Sequence, residues 1–302
     1  MAIGAVDVVC AGSAPAPADT ELSDDAPSIV EWTAVGRAGA CLFIRTARVG
    51  REKDDLMERR HAYPTDTQHI VNLSGYVWAA RQVPQLDQLR VLDLACGTGY
   101  GSDYLSGKAG RVVGVDSAPQ IVARNRARYG HSGASFLAMD GCALGFLDES
   151  FDCILSQDTI EHIMDDRRFV AEVARVLRKT GTLVIFTPHG KGVACKPEDP
   201  YHVREYNQEE FRDILSPYFS TIRWFGRRQG ARLKVAERSM DAVRRFDPGG
   251  LRNLVPRPIR HWLGGLVSRL QGGPTLEAIT PEDIEYEEGV AGDTNLIGIC
   301  MK

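Results

Sequence analysis

Long apolar runs are missing from this chain: no hydrophobic stretch approaches the roughly 18–20 residues that a membrane span requires. A disulfide pattern is missing too. The seven cysteines, at 10, 41, 96, 142, 153, 195 and 300, are odd in number, and no two stand at Cys-x-x-Cys spacing. Neither a disulfide framework nor a zinc knuckle is therefore indicated. Cys153 and Cys300 lie in apolar runs and read as core thiols, which fits a reducing, cytoplasmic setting. Charge of one sign is scarce as well. A formal net charge of −4 over 302 residues gives no bulk attraction for nucleic acid, and no nucleic-acid partner is expected. Residues 4–18 are rich in small side chains but lack a basic leading region, and Asp7 interrupts them. They read as part of a flexible leader over 1–28 rather than an export signal.

What is present is an alternation of strand and helix patterns, as a doubly wound parallel sheet requires. Strands are expected at 90–95, 111–115, 135–139, 151–156, 182–187, 219–225 and 295–301. Helices are expected at 118–129, 166–178 and 207–215, with Gly181 as the stop signal after the second of these. Residues 65–81 read as a helical approach. The stretch 230–289 is too long for an ordinary loop and carries Ile259, Trp262, Leu263, Leu266, Val267 and Leu270 at helical spacing. The expected organisation is a leader (1–28), an N-terminal cap (29–89), an α/β core (90–229), a basic helical insert (230–289) and a final core strand (290–302).

The run Val91-Leu92-Asp93-Leu94-Ala95-Cys96-Gly97-Thr98-Gly99-Tyr100-Gly101 carries the strongest signal. A strand ends at a glycine-rich turn, where the backbone can approach a ligand closely. A dinucleotide fingerprint would place glycine at 102, where this chain has Ser102, which argues against a nicotinamide-dependent oxidoreductase. Further motifs follow in order: Asp116 closing Val112-Val113-Gly114-Val115, Met139-Asp140-Gly141, Phe151-Asp152, Gln157, Glu161-His162-Ile163, Arg175-Val176-Leu177 and Thr187-Pro188-His189-Gly190. Together they resemble the class I S-adenosylmethionine (SAM) dependent methyltransferases, specifically the common bacterial small-molecule methyltransferase domain. The resemblance spans about residues 68–220 plus the final strand. The step His202-Val203-Arg204-Glu205-Tyr206 is similar to a subgroup acting on sugars and natural products.

The resemblance implies a Rossmann-like seven-stranded sheet with helices on both faces, its last strand returning antiparallel between the fifth and sixth. It also implies SAM as cofactor and S-adenosylhomocysteine as product. Asp93 is then expected to hold the turn or face the ammonium, with backbone N–H groups of Gly97, Thr98 and Gly99 turned toward the methionine part. Asp116 and Ser117 stand where the ribose diol would lie, and a carboxylate there accepts from both hydroxyls. Asp140 and Gly141 are placed for the adenine, with the Cys142 N–H near a ring nitrogen. Gln157 borders the methionine part, and the Glu161–His162 pair lies near the transferring methyl.

The acceptor is expected to be a small molecule, with oxygen favoured over nitrogen. His162, His189 and His202 are candidate bases, because histidine titrates near neutrality, while Glu161 or Asp158 could orient an amine. No metal is expected, since these histidines lie in different loops and no acidic cluster with hard-cation spacing accompanies them. The arginine-rich stretch from Arg227 to Arg269 reads first as a solvated element closing over the site. Two alternatives stand beside this reading. One is a substrate linked to phosphate or lipid, held by that basic stretch at a membrane surface; the other is a SAM-binding protein that transfers no methyl. A homodimer is compatible with all of them.

Overall fold

The central strands are buried almost throughout, and successive side chains point to opposite faces, building two separate apolar layers. The computed structural model describes residues 30–35, 42–47, 67–235, 278–290 and 295–302. Strands β1 (Val30–Val35) and β2 (Leu42–Ala47) pair antiparallel with each other. Helix α1 (Thr67–Gln82) leads into β3 (Arg90–Leu94), α2 (Tyr100–Ser106), β4 (Arg111–Asp116), α3 (Pro119–Tyr129), β5 (Ser135–Ala138) and β6 (Phe151–Gln157). Then come α4 (Asp166–Val176), β7 (Leu177–Pro188), α5 (Gln208–Leu215), β8 (Thr221–Gln229), β9 (Ile284–Glu288) and β10 (Asn295–Met301). The main sheet runs β5-β4-β3-β6-β7-β10-β8-β9. Strands β3 to β7 are mutually parallel, and β10 is antiparallel to both β7 and β8.

One apolar layer takes Leu92, Val113, Ile154, Leu183 and Leu296 with Phe169, Val173 and Phe211 from α4 and α5. The other takes Val91, Val112, Cys153, Val184 and Ile297 with Tyr76, Leu105 and Val122 from α1, α2 and α3. Helices therefore cover both faces, as an open parallel sheet requires. Cys153 and Cys300 are buried in these layers, as their apolar surroundings suggested.

The sheet has eight strands rather than seven. The eighth, β9, lies within the stretch expected to be a helical insert, and its alternation is visible in hindsight. Ile284 is buried, while Glu287 and Glu288 reach Arg228 and Arg223 of β8 at 2.6 and 3.3 Å. This acidic edge presents charge where a bare strand would invite further pairing. Arg227 and Arg228 accordingly belong to β8, not to a solvated insert, and Arg227 is buried. Of the insert, 231–235 is helical; the amphipathic run 259–270 lies outside the described residues, as does the leader.

Helix α4 also ends earlier than Gly181 would suggest. Leu177 is fully buried, takes an extended conformation and pairs with Phe151, so the strand begins before the glycine. A Cβ at Gly181 would stand 2.6 Å from the Leu177 side chain, so glycine there accommodates the irregularity between the two paired segments.

The motif Arg175-Val176-Leu177 acquires a physical role. The Arg175 guanidinium donates to the carbonyls of Leu144 and Phe146 at 2.8 Å and to Glu172 and Asp148. It thereby ties α4 to the loop that follows β5. A lysine has one point charge and cannot span these partners. Arg175→Lys is expected to lower stability by about 2–3 kcal/mol, the scale of losing hydrogen bonds to a charged group; denaturant unfolding would measure it.

Candidate active site

The strand order reverses between β3 and β6, since β4 and β5 lie to one side and β7 to the other. In open α/β sheets such a switch point leaves a crevice beyond the carboxyl ends of the strands. Asp116, Asp140 and Gln157 all stand at or just past those ends, on β4, β5 and β6. Two non-glycine residues there adopt left-handed backbone: Ala95 at φ 61° after β3 and Asp158 at φ 49° after β6. Such conformations cost of order 1–3 kcal/mol each and persist where the surroundings impose them.

The glycine turn is held from several sides. Gly97 and Gly99 have φ of 51° and 79°, a region that glycine enters without strain. The Gly97 N–H donates to Asp116 Oδ2 at 2.9 Å, and the Gly99 N–H to the Cys96 carbonyl at 3.0 Å. Two of the three amides expected to face the methionine part are thus engaged within the turn and with the neighbouring strand. Asn125 of α3, buried and not singled out in the sequence, donates to the Gly97 carbonyl at 2.7 Å. A Cβ at Gly99 would stand 2.8 Å from its amide carbon, so the helix presses directly on the turn.

Asp93 is completely buried and acts as a strut. Its two oxygens accept from the Tyr76 hydroxyl at 3.0 Å and the Ser102 hydroxyl at 2.6 Å, joining α1 and α2 to β3. Of the two roles expected for Asp93, the packing supports holding the turn. Burial raises its pKa to about 6, although the two hydrogen bonds act in the opposite direction. Ser102, the residue that breaks the dinucleotide spacing, is needed as the second donor. Tyr76 packs where a Cβ on Gly101 would fall, 2.1 Å from its ring.

Asp116 Oδ1 accepts from the Ala118 N–H at 2.9 Å. Ser117 follows on the exposed side. Asp140 is exposed, and its Oδ1 accepts from the Cys142 N–H at 2.8 Å, so the amide expected near a ring nitrogen is held by the carboxylate itself. Gly141 packs beneath it, where a Cβ would stand 2.8 Å from Phe169. Gln157 donates to the Asn72 carbonyl at 3.1 Å, while its Oε1 is buried without a partner. Asp158 turns away toward β10 and β8. It accepts from Asn295 at 3.0 Å and stands 3.9 Å from Arg227.

Folding brings Glu161, His162 and His202 together although 40 residues separate the loops. The Val203 N–H donates to the Glu161 carbonyl at 2.8 Å, and Arg204 and Tyr206 both reach Asp166 at the start of α4. The rings of His162 and His202 meet edge-on with centroids 4.9 Å apart. Glu161 is fully buried; its Oε2 accepts from Thr187 at 3.0 Å, and its Oε1 has no partner. Burial, reinforced by the Asp158 charge, pushes its pKa well above the usual carboxylate range. Burial likewise lowers the pKa of His162, keeping its ring neutral near pH 7. His162 Nδ1 donates to the Tyr201 carbonyl at 3.1 Å, and His202 Nδ1 stands 2.7 Å from Glu205 Oε1. Glu205 titrates below its ordinary range: burial acts to raise it, but bonds from His202 and the amides of Glu198 and Asp199 outweigh that. His189 lines a pocket with Gly190, Lys191 and Glu205, the residue that also bonds His202.

Residues 92–185 match a methyltransferase domain family. A "Probable S-adenosylmethionine-dependent methyltransferase" of Mycobacterium tuberculosis is 34% identical over 234 residues, covering 74% of this chain and 80% of the relative. The chain belongs to the SAM-dependent methyltransferases. SAM is accordingly its cofactor, and the class I Rossmann-like architecture is the one the motif order implied. A ubiquinone biosynthesis O-methyltransferase of Rhodopseudomonas palustris is 30% identical over 112 residues, covering 36% of this chain and 43% of that protein. Among solved structures, a SAM-dependent methyltransferase from Thermotoga maritima aligns with a TM-score of 0.50 at 17% identity, covering 83% of this chain and 94% of its own. That likeness concerns the fold. No helix among the described residues is long and apolar enough to cross a membrane.

Proposed function

We propose that this methyltransferase transfers the methyl group of SAM to an oxygen of a small-molecule acceptor in the cytoplasm. The observation that carries the reading is the convergence of two sets of groups. Asp116, Asp140 and Gln157 stand at or just past the strand ends that flank the switch point, and His162, in the loop after β6, meets His202. In this reading Asp116, with Ser117 beside it, accepts from the ribose hydroxyls, and Asp140 and Gly141 meet the adenine. The orphan Gln157 Oε1 suits an ammonium donor, and the glycine turn from Gly97 through Thr98 to Gly99 gives the backbone close approach to the methionine part.

A sulfonium methyl is already activated, so the protein's task is to align the acceptor in line with the breaking bond. Orientation of this kind contributes up to ~7–11 kcal/mol. The His162 ring, whose pKa burial lowers, can take the acceptor's proton, as His202 can when unprotonated, a contribution of roughly 10²–10⁴ in rate. The carboxylate of Glu205 holds His202 in one tautomer, as a base-orienting group does. The distant O-methyltransferase relative favours oxygen over nitrogen.

The test is incubation with SAM and a panel of hydroxylated and glycosylated metabolites, followed by mass spectrometry for S-adenosylhomocysteine. Acceptor-dependent product that falls at least tenfold in His162→Ala supports the reading. SAM binding without product from any acceptor would instead mark a binding protein.

A further inference from the structure

The sequence argues against a metal because His162, His189 and His202 lie in different loops with no acidic cluster beside them. The fold removes that objection, and the details of the pairing go further. One ligand-capable atom from each of Glu161, His162 and His202 lies within 4.8 Å of the other two. Tetrahedral zinc, with bonds of about 2.0–2.1 Å, holds its ligand atoms about 3.3 Å apart, so the three groups would draw in by up to about 1.5 Å on binding. Two histidines and one carboxylate make the ligand set of open catalytic zinc sites and of other first-row divalent sites.

Three independent features prepare these atoms for a cation. First, each histidine has its Nδ1 engaged with an acceptor, the Tyr201 carbonyl in one case and the Glu205 carboxylate in the other. A carbonyl only accepts, so the His162 proton sits on Nδ1 and a lone pair remains on Nε2. The Nδ1 of His202 likewise faces a side-chain oxygen of Glu205 at 2.7 Å, which leaves Nε2 as its other ring nitrogen for an ion. Metal-binding histidines are oriented in this way, by a carbonyl or carboxylate on the far nitrogen. Second, Glu161 Oε1 is buried and unpartnered, a costly state for a carboxyl oxygen unless something meets it. Third, His162 has exposed surface, although neighbouring groups partly screen its ring from water, and that surface gives an ion a way in.

We propose that Glu161, His162 and His202 form a binding site for a first-row divalent cation, zinc foremost, with Tyr201 and Glu205 orienting the two imidazoles. Imidazole-rich donors favour such ions over magnesium or calcium, which take oxygen ligands. The inference builds on the proposed transfer to oxygen. With the ring nitrogens as ligands, an ion held there would lower the acceptor hydroxyl's pKa and the proton would leave to solvent instead of to a histidine.

The test uses the full chain, stripped with chelator and titrated with Co²⁺ as an optical probe in the absence of SAM. One equivalent of Co²⁺ should bind with visible ligand-field bands, and Zn²⁺ should displace it. The double variant His162→Ala/His202→Ala should lose at least 100-fold in affinity. Glu205→Gln, which touches no ion, should lose about 10–100-fold through the imidazole it orients. Melting curves identify any variant that fails to fold, and Glu205→Gln then carries the comparison. No stoichiometric cobalt in the native chain, or unchanged binding in the folded double variant, overturns the site. SAM calorimetry on the same preparations separates the two claims: native chain that binds cobalt but not SAM sinks the transferase reading and leaves the cation site standing.

Discussion

Asp116→Ala should bind SAM about 100-fold more weakly than the native chain. The expected loss corresponds to two hydrogen bonds between an ionised acceptor and the ribose diol at about 1.5 kcal/mol each. The same substitution leaves the Gly97 and Ala118 N–H groups without the acceptors they have now at 2.9 Å. Part of the loss could therefore come from a loosened turn rather than from the ribose. Asp116→Asn separates the two causes. It keeps the shape and an oxygen for one of the two N–H groups but turns an NH2 donor toward the other, so its melting temperature set against that of Asp116→Ala measures the turn's share, while the lost charge lowers its affinity by about tenfold or more. Calorimetric titration with SAM reads the affinities. Native-like affinity in Asp116→Ala would remove this residue from the ribose role.

The second large effect concerns Asp93 and is read in stability. Its folded pKa, raised to about 6 from 3.8, means that the folded chain holds a proton on this carboxyl that the unfolded chain has released. The contribution of Asp93 to stability is therefore fully present below about pH 4 and is lost as pH rises through about 6. A shift of about two units corresponds to about 3 kcal/mol. Asp93→Asn cannot ionise, and the Tyr76 and Ser102 hydroxyls can rotate to suit an amide. The stability difference between native and Asp93→Asn should consequently favour the native chain most below about pH 4, decline between about pH 4 and 6, and be smaller by about 3 kcal/mol at pH 7–8. Denaturant unfolding at several pH values reads that difference directly. A difference independent of pH would show that Asp93 is not the buried acid its packing makes it.

The parallel core could be read from sequence because each strand is a short aliphatic run ending in a turn residue, a local signal. The same locality placed Asp116, Asp140 and Gln157 at strand ends, where the structure has them. Asp93 was found for the right turn but given too open a setting, since its burial depends on Tyr76, seventeen residues earlier. Asn125 was missed because an asparagine inside an Arg-rich helix looks like a solvated residue. Only the packing of α3 against the glycine turn reveals its bond to Gly97. Strand β9 was hidden by its charges: Glu285, Glu287 and Glu288 read as surface until β8 supplies the opposing arginines. The meeting of His162 with His202 was out of reach for a related reason. It depends on backbone bonds between Glu161 and residues 203–204, which no local periodicity encodes.

The position of β10 has a consequence for how this chain reaches its fold. Strand β7 closes at residue 188 and β8 at 229, yet the strand that joins them begins at 295. During synthesis, then, the apolar edges of β7 and β8 wait unpaired while more than sixty further residues emerge. Edges of that kind are where nascent chains stick to one another. The joining strand closes a contact of high sequence separation, which slows the last step of sheet formation. Substitutions that weaken Leu296 to Cys300 should lower the yield of folded protein out of proportion to their cost in the finished molecule.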